Sequence, residues 1–83
     1  MLSPFPDATA LAEELIIGEL RRRLVALSDA DLSDRSKRAA AYIAANVDPE
    51  HMLRFDAAAQ RVEEIRRRAM RTDIEAQVVK GAA

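Results

Sequence analysis

Apolar residues recur at intervals of three and four along most of the chain, and no stretch keeps the strict alternation of a strand. In the last third, Phe55, Ala58, Ala59, Val62, Ile65 and Ala69 share one side of a helix with 3.6 residues per turn and mark a core seam. Its start is well signalled. Asp48 can cap free backbone N–H groups, Pro49 suits the first helical position, and Glu50 complements the positive end of the dipole. Beyond Ile65, Met70, Ile74 and Val78 step by four and lie roughly 100° or more around the helix from Val62 and Ile65, as a second apolar stripe looking away from the seam. Lys80 and Gly81 offer a basic last turn and a stop. The pattern predicts one helix over residues 48–80, about 45 Å long at a rise of 1.5 Å per residue. Shorter helices before it cannot cover that length, so its C-terminal half overhangs.

Ile16, Ile17, Leu20, Leu24 and Leu27 define the core face of a first helix, capped by Asp7 or Thr9 and ending near Leu27. A thinner stripe of Leu11, Leu15, Gly18 and Val25 falls on nearly the opposite side and is a candidate second interface. Gly18 costs about 1 kcal/mol relative to alanine, either tolerated or rewarded by a close helix crossing. Ser28 with Asp29 and Asp31 opens a second helix that ends near Asn46 and turns Leu32, Ala39, Ala40, Ile43 and Val47 inward. Pro4 and Pro6 keep residues 1–6 out of any helix, as a flexible tail in which Phe5 is a hydrophobic staple or a partner anchor. Both connections are short and force successive helices to be roughly antiparallel. The expected fold is all-α, a small three-helix bundle with a long third helix, one domain over residues 7–80 with a tail at 81–83.

A chain of 83 residues hides only about 60% of its unfolded surface, so a partner or a second copy would steady it. The absence of cysteine excludes disulfides and thiolate metal sites. No run of about 18 apolar residues occurs and residues 1–6 lack a signal pattern, so the expectation is a cytoplasmic protein without a membrane segment. The net charge is −1, and the long helix holds as many acidic as basic residues, which leaves little electrostatic footprint for nucleic acid. Only Lys37 and Lys80 are lysines among the cations, a bias associated with bacterial genomes rich in G and C.

Little in the chain suits catalysis. His51 is the single histidine, placed in the first turn of the long helix, and without cysteine it makes no metal site. Two glycines, Gly18 and Gly81, cannot build a phosphate loop. Glu63, Glu64, Arg66, Arg67 and Arg68 have the spacing of ordinary surface ion pairs. Arg21 to Arg23 and Arg66 to Arg68 spray around their helices, because consecutive residues point about 100° apart. No enzyme, cofactor or metal is expected.

The segment from Ile43 to Leu53 resembles the turn and recognition-helix start of helix-turn-helix repressors of bacteria. Asn46 takes the left-handed turn position, Val47 the buried turn residue, and Met52 and Phe55 the inner apolar positions, whereas Tyr42 stands where that motif has a small residue. The resemblance implies DNA contacts by His51, Arg54 and Arg61. In size and composition the chain is also similar in type to bacterial regulatory adaptors, including antiactivators that capture a transcriptional activator of quorum sensing. The leading expectation is accordingly a protein-interaction module in which Met70, Ile74 and Val78, rimmed by Arg67 and Arg71, meet a regulator or a second copy. A helix-turn-helix DNA-binding regulator and a structural homodimer are the alternatives.

Overall fold

A computed structural model describes residues 8–82, with side chains to Val78. The fold is all-α. Four helices occupy the described residues: α1 (Ala8–Leu24), α2 (Asp29–Leu32), α3 (Arg35–Ala44) and α4 (Pro49–Ala82). The arrangement is a helix bundle whose middle leg is made by α2 and α3 in succession. Phe5 and Asp7 lie outside the described residues. Thr9 falls inside α1, and α1 stops at Leu24, one turn short of the expected end.

The middle leg is two helices because the chain carries two N-caps where the apolar pattern suggests one. Ser28 accepts from the Asp31 N–H at 3.1 Å and starts α2, then Asp34 accepts from the Ser36 N–H at 2.9 Å and starts α3. Serine and aspartate compete with the helix for their own backbone, so Ser33 and Asp34 break it. The break reorients the leg. Leu32 is buried as expected, but Ile43 and Ala40 face outward, and Tyr42 and the guanidinium stem of Arg38 go inside instead.

α3 ends in a turn built on Asn46, whose φ of 57° is the left-handed conformation expected for it. The Asn46 N–H donates to the Ile43 carbonyl at 3.0 Å and the Val47 N–H to the Tyr42 carbonyl at 3.0 Å, the pair of bonds that closes a helix C-terminus at a left-handed residue. Two residues on, the Asp48 carboxylate accepts from the Glu50 N–H at 2.9 Å and α4 begins at Pro49, as the sequence predicts. It runs 34 residues, and the longest dimension of the molecule, 54 Å, is essentially its length.

The core is small: Leu20, Leu24, Leu32, Tyr42, Phe55 and Ala59 are buried, with Ile16, Ile17, Leu27, Val47 and Met52 packed around them. The α1 seam is as expected. The α4 seam is not, because Val62, Ile65 and Ala69 are exposed. The buried line climbs by fours instead, from Phe55 through Ala59 to Glu63 and the largely covered Arg67. α1 runs beside it in the same direction, since Glu13 approaches Arg54, Arg21 meets Glu63, and the Leu24 carbonyl meets Arg67.

Two substitutions check this account. A Cβ built on Gly18 meets nothing within 4 Å, so Gly18→Ala is expected to stabilise the chain by about 1 kcal/mol through helix propensity. Asn46→Val is expected to lose about 1–2 kcal/mol, because a β-branched residue is strained at positive φ. Urea unfolding midpoints read both.

Candidate interaction surface

The geometry of the exposed end of α4 is set by a charged lock at its middle. Glu63 and Arg67 are one turn apart, with the acid on the N-terminal side, the favourable order for a helical pair. The Glu63 side chain is 0% exposed and takes three cations. Arg66 grips both carboxylate oxygens at 2.8 Å, the Arg67 Nε donates at 2.8 Å, and Arg21 reaches across from α1 at 3.3 Å. Those hydrogen bonds, led by Arg66, hold the Glu63 carboxyl far below its usual range, at about 2, against the opposing effect of burial. The spacing of these residues suggested ordinary surface pairs. It could not show that α1 would lie over them and take the pair out of water.

Arg67 does more than neutralise Glu63. Its Nη2 donates to the carbonyls of Leu27, Leu24 and Val25 at 2.7, 3.2 and 3.4 Å, and its Nη1 donates to Asp29 at 2.8 Å. The carbonyl of Leu24, which ends α1 and also accepts from the Leu27 N–H, and those of Val25 and Leu27 in the turn after it, are thereby met by a cation from α4 near the negative pole of the α1 dipole. With a side chain only 14% exposed, Arg67 is a clamp between helices and not the free rim residue expected of it.

A second polar cluster fastens α3. The Asp56 carboxylate accepts from Arg38 at 3.0 and 3.2 Å and from the Tyr42 hydroxyl at 2.7 Å, while Arg38 also donates to the Leu32 carbonyl that ends α2. Burial pushes Asp56 up, but the hydrogen bonds from Arg38 and Tyr42 outweigh it and leave the acid below its ordinary value. Burial first, then the bond to Asp56, raises Tyr42. Beside this cluster a groove of about 400 Å³ opens between α3 and α4, with Met52 and the exposed Leu53 on its wall. Every polar side-chain atom of Arg38, Tyr42 and Asp56 takes part in one of these bonds.

Past the lock, α4 stands alone. Every residue from Arg68 to Val78 is exposed. Met70, Ile74 and Val78 are 48%, 56% and 64% exposed and form the expected apolar ladder. Its direction differs from expectation. At about 100° per residue, the ladder lies within about 40° of the line from Phe55 to Arg67, so it prolongs the inward side of α4 beyond the end of α1. At its foot is a groove of about 230 Å³ between Met70, Ile74 and Asp29, walled by Arg66, Arg67 and Arg71. Arg71 is 62% exposed and reaches Asp29 at 3.6 Å.

The other expected positions are dispersed. Leu11, Leu15 and Val25 are exposed on the outer side of α1, and among the described residues nothing comes within 4 Å of a Cβ placed on Gly18, so that stripe is a separate surface. His51 stacks edge-on against Phe55 with ring centres 6.2 Å apart, and Arg54 lies over the same ring at 5.1 Å. Arg61 is exposed on the open side of α4. Among the described residues no three His, Cys, Asp or Glu side chains are gathered to hold a metal, and no helix is long and apolar enough to cross a membrane. No protein-family model, curated protein or solved structure matches the chain.

The lock generates a stability test. Glu63→Ala removes the buried acid that Arg21, Arg66 and Arg67 share, while Arg67 keeps Asp29 and its carbonyls, and is expected to cost about 1.5–3 kcal/mol. The pH dependence follows from the lowered carboxyl. The contribution of Glu63 is complete above its unfolded value of 4.5 and disappears as pH falls toward about 2, with Asp56 acting in the same sense. Tyr42 is raised, so its contribution is complete below its unfolded value of 10.0 and is lost above that pH. Urea titrations across pH are expected to show both limbs, with the acid limb flatter in Glu63→Gln.

Proposed function

We propose that the chain is a non-enzymatic protein-interaction module that presents Met70, Ile74 and Val78 to a protein partner. One observation carries the reading: the inward side of α4 continues for three turns past the end of its own bundle with the apolar ladder uncovered. A helix offering anchors at intervals of four is the form in which amphipathic helices enter partner grooves. Arg71 and the outer part of Arg66 supply a polar rim. The compact end, locked by Glu63 and Arg67, holds the projecting helix in a fixed direction and limits the ordering cost of binding.

The biological role we attach to this is that of a small bacterial regulatory adaptor in the cytoplasm, of the antiactivator kind. Such a protein would act by occlusion: the ladder fills a groove that a transcriptional activator, for instance one of quorum sensing, needs for its own assembly. The all-α fold and the projecting helix are compatible with that role.

The left-handed turn at Asn46 favours a second reading, a DNA-binding unit formed by α3 and α4. Its candidate contacts weaken it, since His51 and Arg54 are drawn onto Phe55 and Arg61 lies far along the helix. Duplex titrations at low salt check it through the steep salt dependence that phosphate contacts impose.

The main reading is tested by Met70→Asp/Ile74→Asp. Both side chains are exposed, so circular dichroism is expected to stay helical, while proteins retained from the native lysate by the wild-type chain are lost. An identical retained set for the two chains removes the reading.

A further inference from the structure

We infer that α4 pairs with α4 of a second copy, antiparallel, through the seam of Val62, Ile65, Ala69, Thr72 and Ala76, about a twofold axis level with Met70 and Arg71. This side of α4 lies roughly 170° around from the ladder, so the inference does not rest on the function proposed above. The five positions alternate spacings of three and four, the seven-residue repeat by which two helices pack along a narrow line. Their own bundle leaves them open. Val62 and Ile65 are 43% and 55% exposed, and Ala69, Thr72 and Ala76 are exposed as well. The Thr72 hydroxyl donates to the Arg68 carbonyl at 3.1 Å and so brings no unpaired donor to the seam.

Charge and bulk select a second copy as the cover. Arg68 and Glu75 stand two turns apart on one flank of the seam, and neither side chain makes an ion pair among the described residues. In an antiparallel pair related by a twofold axis, equal flanks meet. With the axis between Met70 and Arg71, Arg68 of each copy comes beside Glu75 of the other, so the ion pair forms twice. On the opposite flank the nearest charges are Asp73 and Arg66, again of opposite sign. The same register sets bulk against gap: Ile65 of each copy faces Ala76 of the other, and Ala69 faces Thr72. Moving the axis one turn toward the bundle would instead oppose Arg68 to Arg68 and Arg66 to Arg66.

The register leaves room for the second helix. Where that helix passes the bundle, α1 and Asp29 occupy the side of Ala59, Glu63, Arg67 and Arg71, centred roughly 150° around α4 from Val62, Ile65 and Ala69. Both ladders stay uncovered on the outer sides of the pair. The dimer thus presents two docking helices at once, which strengthens the hold on a partner that has two grooves.

Sedimentation equilibrium of the full chain from about 1 μM to about 500 μM, with helicity followed by circular dichroism, tests the pairing. The expected result is a concentration-dependent dimer, lost in Ile65→Asp while the helical signal persists. Arg68→Glu and Glu75→Arg are each expected to weaken it about tenfold, by turning two ion pairs into two like-charge contacts. An equal mixture of the two variants is expected to regain the wild-type affinity, because each mixed pair holds two contacts of opposite charge. Met70→Asp/Ile74→Asp, on the other side of the helix, is expected to dimerise as the wild type does. A chain that stays monomeric to about 500 μM, a mixture as weak as its components, or a dimer lost in Met70→Asp/Ile74→Asp overturns the pairing.

Discussion

The closure of α1 by Arg67 is the contact on which the arrangement of the molecule depends. One guanidinium collects the carbonyl that ends α1 and two in the turn after it, pairs with Asp29 at the start of α2, and leans on the Glu63 carboxylate beneath it. A helix end buried without partners would leave carbonyls unsatisfied at a cost of about 1–3 kcal/mol each. By meeting them from α4, Arg67 fixes where α1 stops along the long helix. Glu63 in turn makes the buried cation tolerable, and Arg66 and Arg21 keep the carboxylate satisfied.

The polar character of this joint follows from the size of the chain. Among the described residues, six buried apolar residues form a thin core, two of them supplied by α4 as Phe55 and Ala59. Directional contacts complete what dispersion and burial leave incomplete. Asp56 with Arg38 and Tyr42 does for α3 what Glu63 with Arg67 does for α1, and Arg38 closes the end of α2 through the Leu32 carbonyl. Both clusters place a cation from one helix on the negative pole of another, so the bundle is fastened at its helix ends as much as along its faces.

Fastening at Arg67 also produces the surface. α1 cannot extend along α4 beyond the point where its carbonyls are collected, yet α4 continues to Ala82. Its inward side therefore emerges from the bundle, carrying Met70, Ile74 and Val78 in about the direction in which Glu63 and Arg67 meet α1 one or two turns earlier. It is uncovered because its cover has ended.

Much of this was legible in the residues themselves. Local chemistry announced the helical class, the capped start of α4 at Asp48 and Pro49, the left-handed turn at Asn46, and the α1 seam of Leu20 and Leu24, because each depends on neighbours in the chain. Hydropathy misled on α4. Val62 and Ile65 look like core and Glu63 and Arg67 like surface, until α1 is laid against the helix and its carbonyls and Arg21 reward the charged side over the apolar one. The sequence by itself determined where α2 and α4 begin and where the chain turns at Asn46, since caps and turn residues act over one or two turns, whereas its apolar periodicity ran α1 past Leu24 and bridged the break between α2 and α3. Only tertiary structure decided which side of α4 is inside, because burying a carboxylate is favourable solely when cations more than forty residues away in sequence, or one turn along, arrive with the right geometry.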